Sequence, residues 1–466
     1  MKYVSTRGAA PTLEFADVLL AGLARDGGLY VPEDWPALPA GLLARAADAS
    51  YAEVALEVMW PFVEGSVERD DFAAMVDDAY ATFDHPDVVP LRDLSGWAPS
   101  LWLAELFHGP TLAFKDIALQ LVGRLFDHEL ARRGSKVTIV GATSGDTGSA
   151  AIAACRDREA IEIVILHPAG RVSEVQRRQM TTVDAPNVHN LAVEGTFDDC
   201  QDLVKALFAD EAFRDEVGLS AVNSINWARV MAQIVYYVTS VARLTGGRAP
   251  VGFAVPTGNF GNVFAGYGAQ RMGLPVDQFV VASNANDILT RFLESSVMAM
   301  AGVEPTLSPS MDIQVSSNFE RLLFELYGRD GVAVAETMQR FRADGTFSVD
   351  GDRMGLLREH WVGASVDDAA TTDVIARLHA QLGLLVDPHT AVGLRAAELA
   401  RRDPSVPLVA LATAHPAKFP DAVEAATGVR PPLPAHLADL FERPERFATV
   451  ADDYATVRDA IRAAIA

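Results

Sequence analysis

A lysine set in an apolar segment, Lys115 of His108-Gly-Pro-Thr-Leu-Ala-Phe-Lys-Asp116, is the residue of this chain best suited to covalent chemistry. Only five of the 39 basic residues are lysine (Lys2, Lys115, Lys136, Lys205 and Lys418), so an arginine-dominated composition keeps an amine at this position. The difference is chemical. A guanidinium forms no Schiff base, whereas an amine beside Phe114, Ile117 and Ala118 is partly desolvated, which favours its neutral, nucleophilic form. A lysine at a helix start is just as well a solvated surface residue, so Lys115 takes its meaning from the segments around it.

Three segments accompany it. Lys136-Val-Thr-Ile-Val-Gly-Ala-Thr-Ser-Gly-Asp-Thr-Gly-Ser-Ala-Ala151 reads as a β-branched strand, a loop of Gly, Ser and Thr, and an Ala-rich helix. Gly252-Phe-Ala-Val-Pro-Thr-Gly-Asn-Phe-Gly-Asn-Val-Phe-Ala265 repeats that grammar. In each, glycine lets the backbone approach a ligand, and the N–H groups at the following helix N-terminus can bind an anion. Neither loop ends in Gly-Lys-Ser/Thr and no GxGxxG follows a first strand, which argues against ATP and NAD. In the third segment, Pro407-Leu-Val-Ala-Leu-Ala-Thr-Ala-His-Pro-Ala-Lys-Phe419, an apolar run delivers the hydroxyl of Thr413 to the carboxyl edge of a buried sheet, where open α/β folds place ligands. His415 and Lys418 follow at once. Each segment taken singly is also what an ordinary strand-to-loop turn looks like.

Read together, the motifs resemble those of the threonine synthases, in the longer microbial and fungal branch of that family. Tyr3-Val-Ser-Thr-Arg-Gly8 and Gly22-Leu-Ala-Arg-Asp-Gly-Gly-Leu-Tyr-Val-Pro32 are similar to its amino-terminal signature. The likeness continues through Phe107–Asp116, Gly141–Gly148, Asn223-Ser-Ile-Asn-Trp-Ala-Arg229, Thr257–Asn262, Asp387-Pro-His-Thr-Ala-Val-Gly393 and Thr413–Phe419, in family order. The resemblance implies an α/β protein with a pyridoxal-phosphate fold type II core of mostly parallel twisted sheets, a helical N-terminal domain and an inserted region. It implies the activity as well: O-phospho-L-homoserine and water giving L-threonine and phosphate by γ-elimination and β-addition. A related pyridoxal-phosphate lyase or dehydratase, and a synthase-like binding protein without catalysis, are the alternatives.

The family pattern assigns roles by position. Lys115 should hold pyridoxal 5'-phosphate and move protons at the substrate α and β carbons. Thr257, Gly258, Asn259, Phe260, Gly261 and Asn262 should cradle the cofactor phosphate, and Thr413 should meet the pyridine nitrogen. Thr143, Ser144, Gly145, Asp146 and Thr147 should receive the substrate carboxylate, with Thr147 able to reach toward its phosphate. Ser224 and Arg229 resemble the family's phosphate-binding pair, and the planar guanidinium fork suits two phosphate oxygens at once.

The global balance limits the partners. A net charge of −23 over 466 residues disfavours nucleic acid and anionic membranes. An anionic substrate must therefore be held by local donors. Cys155 and Cys200 make no disulfide framework or metal spacing, and the ten histidines show no HExxH or Cys/His cluster, so no metal is expected. No apolar run approaches the roughly 18 residues of a membrane span, and no secretory pattern opens the chain, which together predict a cytoplasmic protein. The sequence leaves its assembly open between monomer and homodimer.

The organisation expected is a helical N-terminal domain over 1–93 with helices near 51–62 and 70–83, and an α/β core over 94–285 and 385–430. An insertion over 286–384 with helices near 318–327 and 332–342 should pack on that core, before a tail over 431–466 that ends in a helix. The sheet is expected to resume at Asp387 and Leu408.

Overall fold

The computed structural model describes residues 1–220 and 224–465, so Asn223 of the Asn223–Arg229 motif lies outside the described residues. Two compact units divide the chain: Met1–His108 with Ser224–Pro431, and Gly109–Asn223 with Pro432–Ala466.

The first unit is built on a six-stranded sheet in the order Trp361–Ser365, Val276–Ser283, Val251–Pro256, Leu408–Ala412, Leu101–Glu105, Leu91–Asp93, parallel except for the last strand. Val251–Pro256 and Leu408–Ala412 are buried along their whole length, as continuous apolar runs in a parallel sheet require. Ala410 pairs with both Ala254 and Leu103, which brings the chain out of the sheet at Thr413 and out of the neighbouring strand at Thr257. The helix Pro388–Ala400 covers one face through Val392, Leu394 and Ala396. The N-terminal region forms a small antiparallel sheet of Leu13–Glu14, Lys2–Ser5 and Tyr30–Pro32 beside the helices Tyr51–Val63 and Arg69–Tyr80. The first of these helices starts where Ser50 and Glu53 form a reciprocal capping box.

The second unit has a five-stranded parallel sheet, Ala448–Ala451, Val188–Glu194, Ile161–Pro168, Val137–Ala142, Leu219–Ser220. Its helices include Lys115–Arg133, Asp146–Cys155, Glu174–Thr181 and Phe197–Ala209. The tail belongs here: Val450, Val457 and Ile461 are buried with Leu203 and Leu207. Arg177 Nε and Nη2 donate to the two oxygens of Glu445 at 2.8 and 3.1 Å. Cys155 and Cys200 are buried free thiols whose pKa values burial pushes up to about 12 and about 11, which leaves them inert.

Three expectations meet a different structure. Asp387 begins a helix and not a strand: its carboxylate accepts from the N–H groups of Thr390 and His389, and Pro388 at the first helical position pre-sets the turn. Within the expected insertion, Trp361–Ser365 is the outer strand of the main sheet, paired with Phe279–Ser283. It is five residues long and flanked by charged helices, so its period is too short to stand out. The N-terminal region carries three short strands beside its helices. No helix among the described residues is long and apolar enough to cross a membrane.

Candidate active site

Each unit carries its own set of the residues singled out by sequence. Lys115 and Thr143–Thr147 lie in the second unit, and Ser224, Arg229, Thr257–Asn262 and Thr413 lie in the first.

Lys115 is the first residue of the helix Lys115–Arg133, and it is buried. The loop before it is locked by its neighbour. Asp116, fully buried, accepts from the Thr111 backbone N–H at 2.8 Å and from Thr111 Oγ1 at 2.7 Å. Gly109 has to be glycine there, because a Cβ would come within 2.4 Å of the Asp116 Cβ. Lys115 Nζ lies 3.3 Å from Asp146 Oδ2 and 5.8 Å from the centre of the Phe114 ring. The amine thus has a carboxylate on one side and an aromatic face on the other.

Asp146 opens the helix Asp146–Cys155, after the strand Val137–Ala142. Gly145 makes the turn at φ 144° and ψ −74°, a conformation open essentially to glycine alone. Thr143 Oγ1 accepts from the N–H groups of Gly145 and Gly148, both at 2.9 Å, so Thr143 ties the loop from inside while Ser144 is exposed and Thr147 half-buried at its rim. Asp146 Oδ1 accepts from Gln176 Nε2 at 2.8 Å.

In the first unit, Thr257 donates its hydroxyl to the Val255 carbonyl at 2.6 Å, and a Cβ on Gly258 would meet the Ser310 carbonyl at 2.6 Å. Phe260 caps the helix Gly261–Arg271 in a left-handed conformation, φ 65°, held by stacking on Trp361 and an edge contact with Phe319. The Asn259 carbonyl accepts from Asn318 N and Nδ2 at 3.0 and 2.9 Å, which ties the loop down at this carbonyl. Asn262 is held by its oxygen: Oδ1 accepts from the Tyr236 and Tyr237 hydroxyls at 2.5 and 2.9 Å, while its buried Nδ2 has no partner. An amide donor fixed in this way is waiting for an acceptor.

Arg229 lies in the first turn of the helix Trp227–Thr245, whose Asn226 cap accepts from Ala228 N at 3.0 Å. It is buried, its Nη1 has no hydrogen-bond partner, and burial depresses its pKa to about 10. A buried unpaired cation is costly, so it marks a place for an anion. Ser224 Oγ is 3.3 Å from Ser317 Oγ, and Ser317 Oγ reaches Asn259 Oδ1 at 3.4 Å. Ser224 is thereby joined to the Thr257–Asn262 loop. Thr413 follows the strand Leu408–Ala412 and is buried. His415 Nδ1 accepts from Ala417 N at 3.1 Å, and burial lowers its pKa to about 4, so it is neutral with its proton on Nε2.

Sequence reasoning did not single out Gln176, Ser317, Asn318 or Ser310. Each lies far along the chain from the motif it supports, and only Asp387-Pro-His-Thr hinted at one of them. His389 Nδ1 pairs with Asp387 at 2.7 Å and its Nε2 accepts from Ser310 N at 3.3 Å, which fixes the carbonyl packed against Gly258.

The chain is similar to known proteins along its whole length. Family models described as threonine synthase N terminus, pyridoxal-phosphate dependent enzyme, and threonine synthase C-terminal match residues 2–80, 84–413 and 390–461. The threonine synthase of Pseudomonas aeruginosa is 56% identical over 459 residues, covering 98% of this chain and 97% of that protein. The pyridoxal-phosphate-bound threonine synthase structure from Brucella melitensis superposes with a TM-score of 0.97 at 52% identity, over 100% of this chain and 99% of that one. The yeast threonine synthase structure gives 0.94 at 38% identity, over 100% and 98%. With these matches along its whole length, the chain belongs to the threonine synthase family of pyridoxal-phosphate-dependent enzymes.

Proposed function

We propose that this enzyme converts O-phospho-L-homoserine and water to L-threonine and phosphate. The observation that carries the reading is Arg229, a buried guanidinium with an unpartnered Nη1 near the start of its helix. A lyase or dehydratase acting on an unphosphorylated amino acid would leave that charge without a use.

The residues present fit pyridoxal phosphate. The cofactor, when bound, supplies an electron-withdrawing ring that stabilises negative charge at the substrate carbons. Lys115 is the amine that holds it and afterwards carries protons at the α and β carbons. Asp146, 3.3 Å from that amine, accepts its hydrogen bond. The Thr257–Asn262 loop binds the cofactor phosphate through N–H groups at the start of the helix Gly261–Arg271 and through Asn262 Nδ2. Thr413 offers its hydroxyl to the ring nitrogen, a neutral partner that does not force the ring to stay protonated. Ser144, Thr147 and the first turn of the helix Asp146–Cys155 receive the substrate carboxylate. Ser224 and Arg229 bind its phosphate and orient the leaving group.

We place the enzyme in the cytoplasm, on the support of two buried free thiols. Incubation with O-phospho-L-homoserine tests the function: phosphate and threonine should appear in equal amounts. Release of a keto acid would indicate a lyase, and no turnover a binding protein. Lys115→Ala should abolish turnover and the borohydride-fixed cofactor label, while the far-ultraviolet spectrum stays as in the parent.

A further inference from the structure

One buried side chain next to Asp146 has no part in the reaction as described so far. Gln176 lies in the first turn of the helix Glu174–Thr181. Its amide is held at both ends. Nε2 donates to Asp146 Oδ1 at 2.8 Å, and Oε1 accepts from Ser173 Oγ at 2.9 Å. Ser173 Oγ in turn accepts the Gln176 N–H at 3.4 Å as the helix cap. The reversed amide would set its oxygen against the carboxylate, so this network selects one orientation.

The amide also forms the wall behind the anion loop. A Cβ on Gly145 would come within 2.5 Å of Gln176 Cδ and 2.6 Å of Oε1. The helix that carries it is pinned to the lysine segment on two further sides. Gln179 Nε2 donates to the Thr111 carbonyl at 3.1 Å, and Val175 packs with Leu112, Leu437 and Leu440. Asp116, the carboxylate next to Lys115 in sequence, is turned to Thr111.

We propose that Gln176 is a positioning residue for Lys115: it fixes Asp146 Oδ1 with a donor, so that the carboxylate presents Oδ2 to the amine. An amide N–H in that place can only donate, so a proton moving between Lys115 and Asp146 has Oδ2 as its seat. The inference rests on Lys115 being the cofactor lysine.

The test compares holoenzymes of the parent, Gln176→Met, Gln176→Glu and Ser173→Ala. Borohydride reduction and peptide mapping of the parent come first, followed by pH titration of the cofactor's visible absorption without substrate and by kcat against pH. Gln176→Met keeps the shape and loses the donor, so the absorption midpoint should move by about one pH unit, with kcat down roughly tenfold and KM little changed. Gln176→Glu can donate only while protonated, so its kcat should approach the parent's at the acid end and fall as pH rises. Ser173→Ala frees Oε1 and should move the midpoint in the same direction as Gln176→Met, by less. A purely structural glutamine would lower the melting temperature and leave these pH profiles in place. Parental midpoints and kcat profiles in both Gln176 variants, with the label at Lys115, would overturn the role of Gln176 alone. A label on any other residue would overturn the assignment of Lys115 and this inference with it.

Discussion

Arg229→Met should make the enzyme more stable and less able to use its substrate. Burial takes the guanidinium pKa down to about 10, a drop of about two and a half units, and no carboxylate compensates it. A shift of that size corresponds to about 3 kcal/mol of stability lost by holding the charge in place, at 1.36 kcal/mol per unit. The sign follows from linkage: the folded-state pKa lies below the unfolded one, so the penalty is fully present below pH 10 and shrinks only as pH rises through the interval above it. Methionine fills most of the same volume without a charge. The holoenzyme variant, its cofactor loop occupied, should therefore melt roughly 2 °C or more above the parent in phosphate-free buffer, as one or two kcal/mol is recovered. Inorganic phosphate should reverse the order. At about 100 times its dissociation constant it should add about 2.7 kcal/mol to the parent and nothing to the variant. The variant's kcat/KM for O-phospho-L-homoserine should fall at least tenfold, because a charge-assisted contact is worth about 1.5–3 kcal/mol. A variant that melts below the parent without phosphate, while both gain equally when phosphate is added, would refute the reasoning.

Three further outcomes follow from the same residues. Asn262→Asp keeps the oxygen that Tyr236 and Tyr237 use but sets a negative charge where Nδ2 stood, so cofactor affinity, read by equilibrium titration, should weaken tenfold or more. Thr413→Ala should load the cofactor normally and slow α-proton exchange, and Thr413→Asp should change the ratio of threonine to side products; parental rates, ratios and cofactor spectra in both would remove Thr413 from the ring nitrogen. His415 is held neutral by burial with a pKa near 4, so the unfolded chain protonates first and stability is lost as pH falls from about 6.5 toward 4, to a limit of about 3 kcal/mol. His167, buried and lowered in the same direction, adds to that acid sensitivity, and urea unfolding at pH 5 and 7.5 with His415→Asn should show a reduced slope.

The parts of the site legible in the sequence were those where chemistry and local geometry coincide in one short stretch. Lys115, Gly145 and Thr413 stand at element ends marked by apolar runs and glycine, and strand-to-helix grammar predicts their placement. The supporting shell was not legible, because its members act through tertiary contacts with no local period. Gln176 reaches Asp146 across 30 residues, and Asn318 reaches Asn259 across 59. The strand Trp361–Ser365 escaped for a similar reason: its partner Val276–Ser283 is remote in sequence, and five residues cannot outweigh the charged helices beside them. Asp387-Pro-His is a readable helix start, since Asp followed by proline is an N-cap signature, and that local signal outweighs the expectation of a strand there.

The two anion loops share their grammar and differ in how the backbone is closed, which argues for different ligands. In the Thr143–Thr147 loop, a side chain inside the turn captures two N–H groups, and the rim is left with the hydroxyls of Ser144 and Thr147. Neutral hydroxyls and a helix dipole suit a singly charged carboxylate. In the Thr257–Asn262 loop, it is a carbonyl that is tied down, by Asn318, and the orphaned amide of Asn262 stands at the start of the helix Gly261–Arg271. Several donors converging at a helix N-terminus suit a phosphate, whose charge is larger and whose oxygens are more numerous. Neither loop offers a full positive charge of its own, and the chain as a whole is strongly acidic. The phosphate of the proposed substrate therefore needs a cation set apart from bulk solvent, where its field is not screened. Arg229 is such a cation. Its burial, which costs stability in the resting protein, is the condition under which one guanidinium can hold a dianion inside an acidic protein.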